Sequence, residues 1–370
     1  MGNGSISTTP SHDTSTTGDA ELENEILRSF GLAISKLPFG SSASPASGPS
    51  GSVTTSLGTE ESSSPLKNLK WFTHLSTWKI AYHYQPPKEL PPPQAFSDYT
   101  RGLQSWLRRF QREGHNPFIH RHLYPTRAIP DSIQDAYAAI AVSEGSCPEN
   151  ENMVDHIATS LVTRLLSSQS QVEGQTLHLA NTLDHLARTQ ALLIHLLLAL
   201  FSPSISRQAK AESLIETLHR WKLALWESAS QEANLAELFP YLHTMPLEGE
   251  RSDVDSIPGL HRAFIMCESV RRTWLVCSMT TGVYRALRGD WTAACGGDVR
   301  FTARAGLWDA SSPARWAVLA GKADPLFNYS LLGDQLANCE ILESDVDEFA
   351  LHIFALMWGS DKVESWFIQT

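Results

Sequence analysis

Three histidines within eight residues form the cluster with the clearest capacity for chemistry: His115, His120 and His122. Neutral imidazole nitrogens are common ligands of transition metals, so this cluster could hold a metal ion. The guanidinium of Arg121, which lies between two of the histidines, would oppose a bound cation. We therefore expect no metal ligands here. The pattern instead favours a polar loop or helix end in which the ring nitrogens hydrogen-bond to backbone groups.

The cysteines form neither a zinc pattern nor a disulfide pattern. Cys147, Cys267, Cys277, Cys295 and Cys339 are scattered, odd in number and contain no C-x-x-C pair. A chain of 370 residues that is 42% hydrophobic can bury a large core without disulfides, which favours reduced thiols in an intracellular compartment. Two of these cysteines, at 267 and 277, fall on the apolar stripe of a long predicted helix. We expect them to be buried, with a redox switch as the alternative.

Recognisable catalytic signatures are absent from the sequence. It contains no glycine-rich dinucleotide fingerprint, no P-loop, no G-x-S-x-G elbow and no H-E-x-x-H motif. We therefore predict that the protein is not an enzyme and that it has no catalytic or cofactor-binding residues. An uncharacterised all-α enzyme of a biosynthetic pathway stays open as an alternative, and the three clustered histidines would be the first residues to mutate in a test of it.

The charge of the chain argues against direct binding of nucleic acid. Its formal net charge is −11, and its basic stretches are short: residues 108–112, 120–122 and 271–272. Phosphate recognition normally needs a clustered basic face, so we interpret these stretches as solvated helix faces. Glu268 and Arg272 form an i, i+4 pair. It is either an exposed pair or one drawn inward towards Trp291 or Trp308, where it would order an irregular segment.

The first 65 residues are rich in Ser, Thr, Gly and Pro and have little to bury, so we predict a disordered head over 1–65. Within it, apolar residues at helical spacing over 21–37 indicate a short helix, either a partner-binding helix or transient structure. The N-terminus has neither the charged nor the apolar region of a signal peptide. The most apolar run, 191–201, is too short to span a bilayer and predicts a buried helix, so we expect no membrane association.

From residue 66 onward, apolar periodicity predicts a helical domain over 66–370. The spacing of four and three residues predicts helices over about 99–113, 153–165, 183–200, 214–225, 260–287 and 346–358. Gly114 and Gly359 are placed to end two of these helices. No alternating run supports a sheet, so the predicted fold class is all-α: a multi-helix domain behind a disordered head.

Several segments, in this order and spacing, resemble the helical regulatory region of fungal zinc-cluster (Zn2Cys6) transcription factors. The resemblance covers about residues 68–366. It rests on 75–81 (LSTWKIA), 103–107 (LQSWL), 114–120 (GHNPFIH), 123–124 (LY), 268–274 (ESVRRTW), 301–310 (FTARAGLWDA) and Trp316. It implies a nuclear regulator of transcription that acts with other proteins at promoters, often for local metabolic genes, including those of secondary metabolism.

The sequence departs from this family at its beginning. Members normally begin with six cysteines that hold two zinc ions and place a helix in the major groove of DNA. Here residues 1–146 contain no cysteine. We therefore expect a regulator-like protein without its own DNA-binding module. It would act through protein partners, either transcription factors or co-regulators, and a homo- or heterodimer is one form that this could take. The other interpretation is a truncated piece of a longer regulator.

A second functional hypothesis is a small-molecule-sensing module with a pocket near Trp274, Trp308 and Trp316. The expected location is the nucleus by resemblance and the cytoplasm otherwise. The sequence does not specify target genes, pathway, effector or oligomeric state. The long helix at 260–287 could pair with a second copy of the chain or lie within the core.

Overall fold

A computed structural model describes residues 69–82, 93–124, 128–173, 181–234, 256–290, 296–330 and 341–368. The predicted head, its helix at 21–37, Trp291, Cys295 and Cys339 lie outside the described residues. The division of the chain at residue 66 stays a prediction.

Helices dominate the described part, which confirms the predicted fold class. There are ten α-helices in these ranges: α1 Pro93–Glu113, α2 Asp131–Glu144, α3 Glu151–Glu173, α4 Thr182–Leu200, α5 Ile205–Glu212, α6 Ile215–Asn234, α7 Ile257–Leu287, α8 Pro313–Lys322, α9 Glu348–Trp358 and α10 Ser360–Ile368. Three short 3-10 helices accompany them, at Trp71–Thr73, Leu75–Thr77 and Glu343–Asp345.

A small sheet is the exception to the all-helical prediction. Strand β1, Arg300–Thr302, pairs antiparallel with β2, Phe327–Tyr329, so that Phe301 lies opposite Asn328. Each strand is three residues long, which is too short for the alternation that would have revealed it in the sequence. The two strands cover part of the helical body, and β1 contacts α7.

Helix α7 lies at the centre of the molecule. Ser256 caps its N-terminus by accepting a hydrogen bond of 3.1 Å from the backbone N–H of Gly259, and Pro258 occupies the first turn. Residues on all its sides are buried, because α4, α6, α8 and β1 contact it from different directions. Such a helix shows weak amphipathicity even though it is the main core element.

Helix α4 is the second core element. Asn181 and Asp184 form a reciprocal capping box at its start, which fixes where the helix begins. By length and composition it is the one helix in the described ranges that could cross a bilayer, but 67% of its most apolar stretch is buried inside the protein. Burial of this kind is typical of a core helix.

Helix α3 is less buried than its sequence suggested. Its predicted face began at Met153, which is 63% exposed. Val154 and Leu165 are buried instead, and Ile157 and Leu161 are half-buried. The reason is position: α3 lies at the edge of the body and packs mainly on α2 and α4, so its stripe is only partly covered.

Helix α9 ends where the sequence predicted and begins two residues later, at Glu348. Asp347 is the N-cap and accepts a hydrogen bond of 2.8 Å from the backbone N–H of Ala350. Gly359, with φ of 84°, follows the last residue, and Gly114, with φ of 75°, follows α1 in the same way. Four helices were not predicted, namely α2, α5, α8 and α10. The last three have ten residues or fewer, and half of the buried face of α2 consists of alanines.

Candidate functional site

Arg272 of α7 forms the most highly connected polar site in the described part of the chain. Its Nε donates to Glu268 Oε1 at 3.0 Å, and its Nη1 donates to the carbonyl oxygen of Pro117 at 3.0 Å. Its Nη2 donates to the carbonyl oxygen of Thr302 at 3.0 Å and to a carboxylate oxygen of Asp347. One side chain therefore joins α7, the loop after α1, strand β1 and the N-cap of α9.

Two aromatic rings cover the faces of this guanidinium. Its central carbon lies 4.3 Å from the ring centroid of Trp308 and 4.7 Å from that of Phe349. Arginine stacks on aromatic faces while its edge donates hydrogen bonds, so both modes of contact are satisfied at once. Of the two arrangements open for the Glu268–Arg272 pair, the structure has the inward one, drawn towards Trp308.

The cluster carries one more negative than positive charge, since Glu268 and Asp347 both face Arg272. Glu268 also accepts a hydrogen bond of 2.9 Å from the backbone N–H of Thr302. Burial raises the pKa of Asp347 to about 6, against the lowering effect of Arg272. Deprotonation of this carboxyl group is therefore less favourable in the folded protein than in the unfolded chain.

Arg271, the preceding residue, is buried on a different side of α7. Its guanidinium lies 4.3 Å from the ring centroid of Trp78 and 5.0 Å from that of Phe327. Its Nη2 donates to the carbonyl oxygen of Phe72 at 2.9 Å and to Thr77 Oγ1 at 3.0 Å. The two 3-10 helices of the segment 71–77 and strand β2 are thus anchored to α7. The interpretation of Arg271 and Arg272 as a solvated face was wrong, because both side chains are buried.

The histidine loop is held by backbone hydrogen bonds, as predicted for it. His120 Nδ1 accepts from the backbone N–H of His122 at 3.0 Å, so the proton is on Nε2, which lies 2.8 Å from the carbonyl oxygen of Trp308. Both ring nitrogens are therefore occupied, and burial lowers the pKa of His120 to about 3. His115 Nε2 lies 3.4 Å from a carboxylate oxygen of Glu113, which stands two residues before it in the chain.

The side-chain amides of Asn116 and Gln190 also hold this loop in place. Asn116 Oδ1 accepts from the backbone N–H groups of Phe118 and Ile119, at 3.0 and 2.7 Å. Gln190 of α4 donates to the carbonyl oxygen of Phe118 at 3.1 Å and accepts from the hydroxyl of Tyr124 at 2.7 Å. The motif at 114–124 is therefore a structural loop whose conformation is fixed by α4 and α7.

The remaining basic and thiol groups are dispersed. Arg109 donates to Glu348 at 2.7 Å, so this part of the 108–112 stretch joins α1 to α9. Cys267 and Cys277 are buried, and burial raises the pKa of each thiol to about 12, which disfavours the reactive thiolate. Cys147 is exposed. The part of the chain that the structure describes contains no group of three His, Cys, Asp or Glu side chains placed to hold a metal.

The three tryptophans proposed to surround a pocket contact protein groups instead. Trp274 donates to the carbonyl oxygen of Gly297 at 2.9 Å and lies 4.2 Å from Lys222 Nζ. Trp308 covers Arg272, and Trp316 packs on Phe264 at 5.4 Å between centroids. All three rings are buried in the core.

Several residues that hold the site together were missed in the sequence. Asp347 and Phe349 had been placed only within the predicted helix at 346–358, and Trp78 only within the segment 75–81. A lone cation or carboxylate gives no local signal of its buried partner when more than 70 residues separate the two, as they do for Arg272 and Asp347. Arg272 neutralises the carboxylates of the site and attaches three elements to the central helix α7: the loop after α1, strand β1 and the N-cap of α9.

The sequence of the chain is related to that of a fungal transcription factor, and the described part of the chain is a helical body. The chain is 26% identical over 258 residues to Transcription factor gsfR2 of Penicillium aethiopicum. The match covers 70% of this chain and 58% of that protein, so the chain spans less than two-thirds of the relative's length. No protein-family model matches the chain. No solved structure matches it either.

Proposed function

We propose that the chain is the regulatory body of a nuclear transcription regulator, that it influences promoters through protein partners and that it does not bind DNA itself. The observation that carries the proposal is the similarity to gsfR2 over most of the helical part. Target genes in fungal secondary metabolism are part of the proposal and are supported by the resemblance of motifs such as 114–120 and 301–310 to those of fungal regulators.

The buried arginine pair supports a scaffolding role over a catalytic one. The guanidinium of Arg272 and the Nη2 atom of Arg271 donate hydrogen bonds to carbonyl, hydroxyl and carboxylate oxygens of the chain itself. Neither lies beside an activated nucleophile, and burial keeps the thiols of Cys267 and Cys277 protonated. A rigid helical body with fixed loops is suited to presenting surfaces to partners.

Charge supports indirect action at DNA. The net charge of −11 repels phosphates on average, and the most conspicuous basic pair is buried beneath aromatic rings. The five cysteines within these 370 residues are too widely spaced for a zinc cluster. A partner, as a heterodimer or as a separate DNA-bound factor, would supply the contact with DNA.

A tethering assay tests the regulatory activity directly. The full chain is fused to a heterologous DNA-binding domain and expressed in a fungal host with a reporter gene downstream of that domain's site. We expect reporter expression to change several-fold relative to the DNA-binding domain alone. The Arg262→Lys variant, altered at an exposed position of α7, should behave as the unaltered fusion does.

The outcome that contradicts the proposal is an unchanged reporter when the fusion is folded, nuclear and bound at its site. Recovery of only cytosolic metabolic enzymes with the tagged chain from nuclear extract would count against the partner-based mechanism.

A further inference from the structure

A partly enclosed cavity of about 180 Å³ lies between α2, α3, α4 and α5, away from the arginine pair. Small side chains create the space: Ala139 of α2, Ala158 of α3, Ala199 of α4 and Ala211 of α5 all line it. Most of the remaining wall is aliphatic. The loose packing of α3 against the body leaves this volume unfilled.

One buried imidazole lines this cavity. His195 is only 5% exposed, and its Nε2 is buried without a hydrogen-bond partner. Burial lowers the pKa of His195 to about 4, so the ring is neutral near pH 7 and either donates or accepts a hydrogen bond. An unpartnered buried polar nitrogen destabilises the empty state, and a bound polar atom would relieve that cost.

A second unpartnered nitrogen lies in the same lining. Arg207 Nε donates to Asp155, while Arg207 Nη2 is buried without a hydrogen-bond partner. Glu151 lies 4.0 Å from that nitrogen, and Lys210 also lines the cavity. Two cations face two carboxylates here, so the site has no net charge that would favour an ion.

We propose that this cavity binds a neutral, mostly apolar molecule of about the size of one aromatic ring that carries an oxygen atom. The oxygen would accept a hydrogen bond from Arg207 Nη2 or form a hydrogen bond with His195 Nε2. The ring would fill the aliphatic part of the cavity. The volume agrees with this size, since a dry apolar cavity of about 150 Å³ in another protein holds benzene. The proposal does not depend on the role in transcription.

Calorimetric titration of the full chain with phenol and with toluene tests the proposal. The two probes have nearly the same shape, and only phenol carries an oxygen. We expect phenol to bind about three- to ten-fold more tightly than toluene, the size of one net hydrogen bond. In His195→Phe, which keeps an aromatic ring and loses the nitrogens, this preference should shrink.

A cavity-filling variant locates the binding. Ala158→Leu places three carbon atoms in the space, so binding of both probes should be lost while the melting temperature stays the same or rises. Ala138→Leu, a matched change at an exposed position of α2, should leave both affinities unchanged.

Three results would overturn the proposal: no binding of either probe at millimolar concentration, equal affinity for the two probes, or unchanged binding in a folded Ala158→Leu protein. Loss of reporter activity in the tethering assay would not bear on these titrations, so the two proposals fail separately.

Discussion

At the scale of the residue, Arg272 shows how a cation becomes stable inside an apolar core. Its donors reach two carboxylates and two carbonyl oxygens, and two aromatic rings cover its faces. Removing one partner from such a buried set lowers the free energy of unfolding by more than the intact set contributes to it. The reason is that the groups left behind stay buried and unpaired.

Arg272→Lys tests this account. Lysine keeps the charge but cannot donate to Glu268, Pro117 and Thr302 together, since its donors lie on one atom. We expect a loss of about 3–5 kcal/mol in the free energy of unfolding, measured by urea denaturation. Arg262→Lys, at an exposed position near the start of α7, is the control and should change stability by less than about 0.5 kcal/mol. A loss below about 1 kcal/mol for Arg272→Lys would contradict the account.

Asp347 gives a prediction about pH. Its pKa is about 6 in the folded protein and higher than that of an ordinary carboxyl group, so the folded state holds this proton more tightly than the unfolded chain does. The contribution of Asp347 to stability is therefore greatest at low pH and is lost as pH rises towards and through 6. As pH rises from 4 to 7, the free energy of unfolding of Asp347→Asn should increase relative to that of the unaltered protein. A constant difference would show that the pKa is not raised.

At the scale of the element, α7 organises the molecule by collecting irregular segments. Arg271 holds the segment 71–77 and strand β2, whereas Arg272 holds the loop after α1, strand β1 and the start of α9. Helix α1 joins the same assembly through its packing on α9. There, His352 stacks on Tyr99 at 4.9 Å between centroids.

Gly102 of α1 permits this close approach. A Cβ atom at this position would overlap the imidazole of His352, which Tyr99 and Trp106 hold in place. Gly102→Ala should therefore destabilise the protein by about 1–3 kcal/mol through overpacking, despite the better helix propensity of alanine. Thermal denaturation measures the effect, with Gln104→Ala at an exposed position of the same helix as control. Stabilisation by Gly102→Ala would show that the two helices lie further apart.

The sequence predicted the long helices well and the polar core poorly, for a physical reason. Helices such as α4 and α7 follow from local spacing of apolar residues, which the sequence displays directly. The burial of Arg271 depends on Trp78 and Phe327, which lie far from it in the chain and have no local signature. The same limit applies to the cavity of about 180 Å³. Trp274 was expected to line a pocket, whereas this cavity lies where alanines of four helices meet.

At the scale of the whole molecule, the core contains histidines that are kept neutral. Burial lowers the pKa of five of them to between about 3 and about 4: His120, His185, His195, His261 and His352. In the unfolded chain these rings take up protons as pH falls below about 6.5, the ordinary pKa of histidine. In the folded protein they remain neutral until pH approaches 4. Their contribution to stability is therefore complete above pH 6.5 and is lost as pH falls towards 4.

Acid should consequently destabilise the protein above the pH at which ordinary carboxylates titrate, because these five rings outnumber Asp347, whose contribution has the opposite sign. We expect the melting temperature to fall steadily from pH 6.5 to pH 4.5, as followed by circular dichroism. In His352→Gln the slope of this fall should be smaller, because one fewer ring takes up a proton on unfolding. An exposed histidine, His156, changed to Gln should leave the slope unaltered. A flat profile over this range would contradict the burial of these rings.

The central claim is that this helical body reaches promoters through a partner. Chromatin immunoprecipitation of the tagged full chain, paired with a binding titration of the purified chain on the enriched DNA, tests it most directly. The account predicts enrichment at a defined set of promoters and no saturable binding to the same DNA by the purified protein at physiological salt. Absence of enrichment at any promoter, or tight binding of that DNA by the chain alone, would contradict it.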